Sequence, residues 1–446
     1  MTGVTTNPNR DAAADRFRAL FDAAVGDLPG QGVPWLADLR ARAIAGFEGF
    51  PTPRSEAWKY TSLARLARTD FALDAPASPA AADVAPWALA EAHRLVFVNG
   101  RFAPGLSDLA ALPDGVVATT LGRALEDGGE GLADRIGSGE AVSGPFALNT
   151  AFMRDGLVLR LAPGAALDRP VQFLHLAAPA GAALMAPPRN VIVAGENSSA
   201  TVVETFAGPG GGTWWTNAVC EVAVGANASV RLVRLLEEGA DAWHVGLTEA
   251  TVARAGRFGA FILAAGGALA RSEVRVALDG EGAECDIAGA TLLDGRRHAD
   301  ATTVVHHRAP HGRSRQVFKS VVDGSARSVF QGKVLVAQDA QKTDAHQLSR
   351  GLLLSRGAQV DAKPELQIFA DDVKCSHGAT IGELDATAMF YLQSRGIDET
   401  TARALLIQAF VGELIQELPA GAVRDYVSGR VRARLGAGTL IEEFAA

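Results

Sequence analysis

The sequence predicts a mainly β protein: a β-solenoid carried between helical regions at its two ends. Three observations lead there. First, glycine-led segments recur at a nearly constant step: those beginning at Gly164, Gly195, Gly225 and Gly256 lie 31, 30 and 31 residues apart, with weaker echoes at Gly282 and Gly312. Second, the stretches between them alternate along the chain, as in Cys220-Glu221-Val222-Ala223-Val224, Val230-Arg231-Leu232-Val233-Arg234-Leu235 and Ser272-Glu273-Val274-Arg275-Val276-Ala277-Leu278. Alternation with period two marks a strand with one buried face, and a repeat of roughly 20–50 residues made of short strands and glycine turns marks a stacked coil. Third, apolar residues at three- and four-residue steps flank this run on both sides. Each turn of a coil covers its neighbour, so the two ends need caps, and the helical regions suit that purpose. A β-sandwich is the alternative that the same alternation admits.

With 446 residues, 48% hydrophobic and 21% charged, the chain is long enough for a large core and for more than one compact unit. A net charge of -8 gives no electrostatic footprint for nucleic acid or for an anionic membrane. Three cysteines at unrelated spacings make no disulfide framework and suit a reducing compartment. The polar run from Met1 to Arg10 lacks an apolar signal segment, so a cytoplasmic location is expected. The most apolar window, Phe258 to Ala270, is too short and glycine-rich to span a bilayer and reads as a pair of buried strands.

Taken in order, the chain opens with two predicted helices. Phe17, Leu20, Phe21 and Ala24 share one face, and Trp35, Leu36, Leu39, Ala43 and Phe47 repeat the pattern. Pro29-Gly30 and Pro34 punctuate them, and Pro51-Thr52-Pro53 stops the second. The segment from Pro53 to Thr61 has no period and reads as a capped surface turn with Trp58 anchored in a core. Residues 72–93, with Pro76, Pro79 and Pro86, read as an Ala/Pro-rich connector. Asn99-Gly100, inside the run from Arg94 to Phe102, signals a tight hairpin. A strand over 116–121, a short helix over 124–136 and the segment from Phe146 to Phe152 lead into the strand-rich run.

Beyond it, Leu384, Met389, Phe390, Tyr391 and Leu392 mark a helix over 383–395. Asp398 caps the next, whose apolar stripe is Ala402, Leu405, Leu406, Ala409, Phe410, Leu414 and Leu418. Val423, Tyr426, Val427, Val431 and Leu435 mark a last helix. Helices at a chain end usually pack on their own domain, yet these are also the natural docking surface. The division that results is 1–71 helical, 72–93 connector, 94–150 mixed α/β, 151–382 coil and 383–446 helical.

The chemistry of the sequence concentrates in Asp371-Asp372-Val373-Lys374-Cys375-Ser376-His377-Gly378. On a strand, residues i and i+2 share a face, so the Cys375 thiol and the His377 imidazole point the same way. That is half a metal site, since a cluster usually takes about four protein ligands. Either the pair is structural, or a second molecule completes the site. His306 and His307 adjoin, so a strand sends them to opposite faces, and a polar rung or interface edge is the reading there. Asp371-Asp372 and Lys342-Thr343-Asp344 read as turns. Trp214-Trp215 offers faces on which a flavin or sugar would stack, although a loop anchor is the plainer reading. The chain contains no Gly-x-x-x-x-Gly-Lys-Ser/Thr loop, so nucleotide hydrolysis belongs to another chain.

Four stretches carry a family resemblance: Ala340-Gln341-Lys342-Thr343-Asp344-Ala345, Leu352-Leu353-Leu354-Ser355, Ile368 through Asp371-Asp372-Val373-Lys374-Cys375-Ser376-His377-Gly378-Ala379-Thr380, and Phe390-Tyr391-Leu392-Gln393-Ser394-Arg395-Gly396-Ile397. With Lys363-Pro364 between them, they closely resemble the SufB/SufD family of iron–sulfur cluster assembly proteins, most densely from about Gly312 to Leu418. The segment from Pro51 to Leu63, the poverty in cysteine, and the lack of acidic residues around His377 favour the SufD branch. One departure is visible: Pro364-Glu365-Leu366-Gln367 stands where the family often reads Pro-Gln-Leu-Glu.

The resemblance implies a right-handed parallel β-helix between helical domains, acting as a non-catalytic scaffold. It implies a complex with a SufB paralogue and two copies of the ABC-type ATPase SufC. It also implies a transient iron–sulfur cluster shared at the interface, with His377 as a ligand and Cys375 beside it. The helices over 383–418, with Phe390, Tyr391, Leu405, Leu406 and Phe410, map to the ATPase-binding region. A homodimer of the isolated chain and a bound flavin are left open. The reading from another class is a β-helical polysaccharide lyase or hydrolase using Asp371, Asp372 or Glu365 as acid and base; the poor aromatic content, 6%, argues against it.

Overall fold

The computed structural model describes residues 8–74, 81–109, 112–137, 139, 143–178, 181–208 and 210–435. Two helices, Pro8–Ala24 and Pro34–Gly46, form where the apolar steps place them. Pro34 stands in the first turn, where its missing N–H has no partner to lose. Phe17, Phe21 and Phe47 meet Phe50, Phe71, Phe152 and Trp215 in one aromatic cluster. The expected connector over 72–93 lies partly outside the described residues; within it, Ala81–Val84 is a short helix. Asn99 and Gly100 take φ of 50° and 78° in the hairpin joining His93–Val98 to Arg101–Phe102, as a primed turn requires.

The strand-rich run is a coil. Successive strands alternate between two sheets and pair with strands one turn away, in parallel throughout the run. The first sheet runs from Arg101–Phe102 through His93–Val98, Val171–Leu176, Ser199–Ala207, Ser229–Glu237, Arg257–Ala264, Glu284–Leu293, Arg313–Val322 and Asp344–Leu353 to Lys374–Gly382. The second runs from Val116–Thr120 through Leu157–Leu161, Arg189–Ala194, Trp214–Val224, Ala242–Val252, Leu269–Leu278, His298–His307 and Arg327–Val336 to Gln359–Ile368. Alternate residues of both sheets fill the interior, with Phe206, Val222, Val230, Ile262, Val274, Ile287, Phe318 and Phe330 among them.

Three expectations are corrected. The helix over 124–136 is the shorter Leu121–Glu126, because Gly128 and Gly129 follow at φ of 100° and 67°, which breaks the helical path. Trp214 and Trp215 open the strand Trp214–Val224 rather than sit in a loop. They are 1% and 0% exposed, so neither offers a stacking face. The helices cover flanks rather than ends. The N-terminal pair packs on the outer face of the second sheet, against Trp215, Val219, Val245 and Leu247. Glu399–Gln416 and Ala422–Arg434 pack on the outer face of the first, where Ile407, Val411, Leu414 and Val427 meet Val233, Leu235, Phe261, Leu263 and Val317.

The segment before the coil is tied down by charge. Trp58 is buried, with the Arg271 guanidinium 4.0 Å from its ring centroid. Thr61 donates to Asp300, which in turn pairs with Arg271. Both ions are fully buried, and Glu273 completes the pairing, so neither charge is left alone. Among the described residues no helix is long and apolar enough to cross a membrane.

Candidate functional site

At its far end the coil stops in two strands, Gln359–Ile368 and Lys374–Gly382, each hydrogen-bonded, among the described residues, to another strand of its sheet on one side only. Neither contains a buried residue. Ile368 and Ile381 on them, and Phe369 just after the first, are exposed at 38%, 50% and 60%, whereas Val360 and Leu366 pack inward. The corner between the two strands is fixed on the preceding turn. Lys342 N donates to Asp372 O at 2.7 Å, Lys374 N to Thr343 O at 2.8 Å, and the Lys342 and Asp372 side chains pair. Asp371-Asp372 and Lys342-Thr343 are thus turn residues, as their composition suggests, whereas Asp344, read as part of the same turn, opens the strand Asp344–Leu353, where it pairs in register with Lys374.

Parallel register sets the two candidate ligands. Cys375 stands over Ala345 and His377 over Gln347. Ala345 and Gln347 are both buried inside the coil, so thiol and imidazole share the face that turns toward the interior at its mouth. Cys375 is half-buried against Val334, Val336, Ala340, Ala345 and Ala370. Burial pushes its thiol up, and the Asp344 carboxylate adds to that, so Cys375 rests protonated at neutral pH. His377 is exposed. Among the described residues no group of three or more His, Cys, Asp or Glu side chains is placed to hold a metal ion.

On the outer side of Asp344–Leu353 and Lys374–Gly382 the structure brings together His346 and Ser376, which sequence reasoning assigned no role, with Asp344. His346 Nδ1 lies 2.6 Å from Ser376 Oγ and its Nε2 2.8 Å from Asp344. Gln347, beneath His377, was missed as well. The coil step is the signal that finds it, because Gln316, Gln347 and His377 follow at 31 and 30 residues. His306 and His307 point to opposite faces, His307 inward and fully buried against Ser314 Oγ at 2.8 Å. Two carboxylates of the polysaccharide reading are separately engaged: Glu365 pairs with Lys333 at 3.0 Å and Asp372 with Lys342.

The residues expected to meet a partner fall into two sets. Ala386–Ser394 has no buried residue; Phe390 is 71% exposed and Tyr391 54%. Leu405, Leu406 and Phe410 are half-buried on Glu399–Gln416. Leu406 and Phe410 line a cavity of about 360 Å³ with Leu352, Ile381 and Leu384, next to the last strand. Lys319 holds Phe410 in place, donating to its carbonyl at 2.7 Å and lying 4.9 Å from its ring centroid.

Known proteins resemble this chain over its whole length. Residues 176–410 match the SUF system FeS cluster assembly SufBD core domain, and residues 11–173 the SufBD protein N-terminal region. An iron–sulfur cluster assembly SufBD family protein of Synechocystis is 34% identical over 90% of each chain. The iron–sulfur cluster assembly protein SufD of Escherichia coli is 31% identical over 97% of this chain and 99% of its own. A chloroplastic protein of Arabidopsis thaliana, ABCI7, is 31% identical over 73% of this chain and 70% of its own. With a parallel coil ending in an open Cys-x-His strand and both family regions in place, this chain belongs to the SufBD family of iron–sulfur cluster assembly proteins and is a homologue of SufD.

Proposed function

We propose that this chain is the SufD-type scaffold subunit of a SufBCD-type complex, working in the reducing cytoplasm and turning over no substrate of its own. A SufB paralogue pairs with the open end of the coil, and a nascent iron–sulfur cluster forms where the two meet. His377 lends a ring nitrogen. Cys375 becomes a thiolate ligand only by giving up its proton as iron arrives, since its surroundings favour the thiol. SufC-type ATPases dock on the C-terminal helices around Phe390, Tyr391, Leu405, Leu406 and Phe410. Their ATP-driven movement opens and closes the shared interface through Glu399–Gln416, which reaches the last strands by way of Leu406 and Phe410.

One observation carries this reading: the strand that bears Cys375 and His377 is one of the two whose edge is free among the described residues. Unpaired edges invite another chain, and here the edge and the candidate ligands coincide. The same edge gives the isolated chain a surface for pairing with itself. Co-expression with a SufB paralogue and SufC is expected to yield a stable complex, and His377→Ala to leave that complex intact while lowering its iron and sulfide content. Undiminished cluster formation under anaerobic conditions in the variant would remove His377 from the ligand set.

A further inference from the structure

Inside the coil, side chains stack in columns one strand apart, and one column changes character toward the open end. Its rungs are apolar from Val202 through Leu232 and Ala260 to Ile287; the next three are Gln316, Gln347 and His377. Gln316 is fully buried, and its Oε1 accepts the Thr303 hydroxyl from the opposite sheet at 2.5 Å. One rung on, the residue across the interior is Gly332. A Cβ at that position would stand 2.5 Å from Phe330 Cζ and 2.8 Å from Gln347 Nε2, so the glycine leaves room for both the ring and the amide. Gln347 is 3% exposed, yet among the described residues neither atom of its amide finds a hydrogen-bond partner, and Gln316 Nε2 finds none either. A buried amide in that condition is unfavourable until a polar group reaches it. In its own column the groups able to do so are Gln316 behind it and, about 4.8 Å ahead, the exposed ring of His377.

We propose that Gln347 is the positioning residue for His377. Its Oε1 accepts one ring N–H of the imidazole, and its Nε2 donates back to Gln316, whose Oε1 has a second lone pair beside the one used by Thr303. The other ring nitrogen then keeps its lone pair turned to the mouth of the coil. An imidazole held in this way has one tautomer and one orientation, which is what a ligand nitrogen requires. The purpose of the hold depends on His377 being a ligand, as proposed above; the hold itself is a property of the single chain.

Nitrogen-15 spectra of the full chain labelled at histidine, taken at about pH 8 where an ordinary imidazole is neutral, read the tautomer of each ring. His377→Ala identifies the signals. In the unaltered chain His377 is expected as one tautomer. Gln347→Leu is expected to shift the ratio about tenfold toward a mixture, the factor of one ordinary hydrogen bond, and Gln347→Glu, which keeps the acceptor, to restore it. Gln347→Met replaces the leucine variant if circular dichroism shows that variant unfolded. An unchanged ratio in the leucine or methionine variant, or a mixture in the unaltered chain, overturns the proposal. If the ratio shifts while His377→Ala leaves cluster content untouched, the hold stands and the ligand role falls.

Discussion

Two interior histidines make the stability of the chain depend on pH. Burial pushes the pKa of His307 down to about 4, with His306 beside it adding to the effect, and that of His175 down to about 3, with His244 adding. Both rings are neutral in the folded chain, whereas the unfolded chain protonates them below about pH 6.5. Between about pH 6.5 and about pH 4 for His307, and down to about pH 3 for His175, the unfolded state therefore binds more protons. The contribution is complete above pH 6.5 and is lost as pH falls through that window, by about 2 kcal/mol per ring at pH 5. Urea denaturation at neutral pH and at about pH 5 checks this, and His307→Gln, which retains a group for Ser314, is expected to remove His307's share of the decline. An equal decline in variant and unaltered chain would contradict it. At this scale the sequence was partly legible. Cys375 and His377 lie on one strand, where period two is enough to place them on one face. Thr303 and Gln316 come from one turn of the coil and Gly332 and Gln347 from the next, and only the step of about 30 residues joins the two pairs.

The C-terminal helix shows what an apolar pattern leaves open. Glu399–Gln416 is apolar on more than one side, and the buried side is Ala402, Ile407, Val411, Leu414 and Ile415, whereas the stripe read from sequence counts Leu405, Leu406 and Phe410, which are half-buried, and Ala409, which is exposed. Spacing identifies the helix and its Asp398 cap, which accepts from Thr401 N at 3.1 Å, but which side turns inward depends on the sheet it meets. Folding and docking should therefore separate by residue. Leu414→Ala, at a side chain 1% exposed, is expected to cost about 2–5 kcal/mol. Phe390→Ala is expected to change stability by no more than about 0.5 kcal/mol while weakening capture of the ATPase. Denaturation midpoints and a binding titration with the ATPase check the pair; a large stability loss in Phe390→Ala would mean that this ring serves the fold instead.

The molecule as a whole is a coil with different ends. At the near end the strands Arg101–Phe102 and Val116–Thr120 close the two sheets with antiparallel edges. At the far end the sheets stop with parallel edges free and the candidate ligands in view. The repeat was legible in sequence because each turn needs its glycine corner at the same interval. That the helices lie along the flanks was not, since periodicity says which segments are helices and nothing of where the chain returns. The central claim is that the open end is one half of a site. Anaerobic reconstitution with iron and sulfide, followed by assay of both per chain, tests it most directly. The isolated chain should retain little of either, and the complex with a SufB paralogue and ATPase should hold a cluster that His377→Ala depletes. A full, tightly held cluster on the isolated chain would contradict the account.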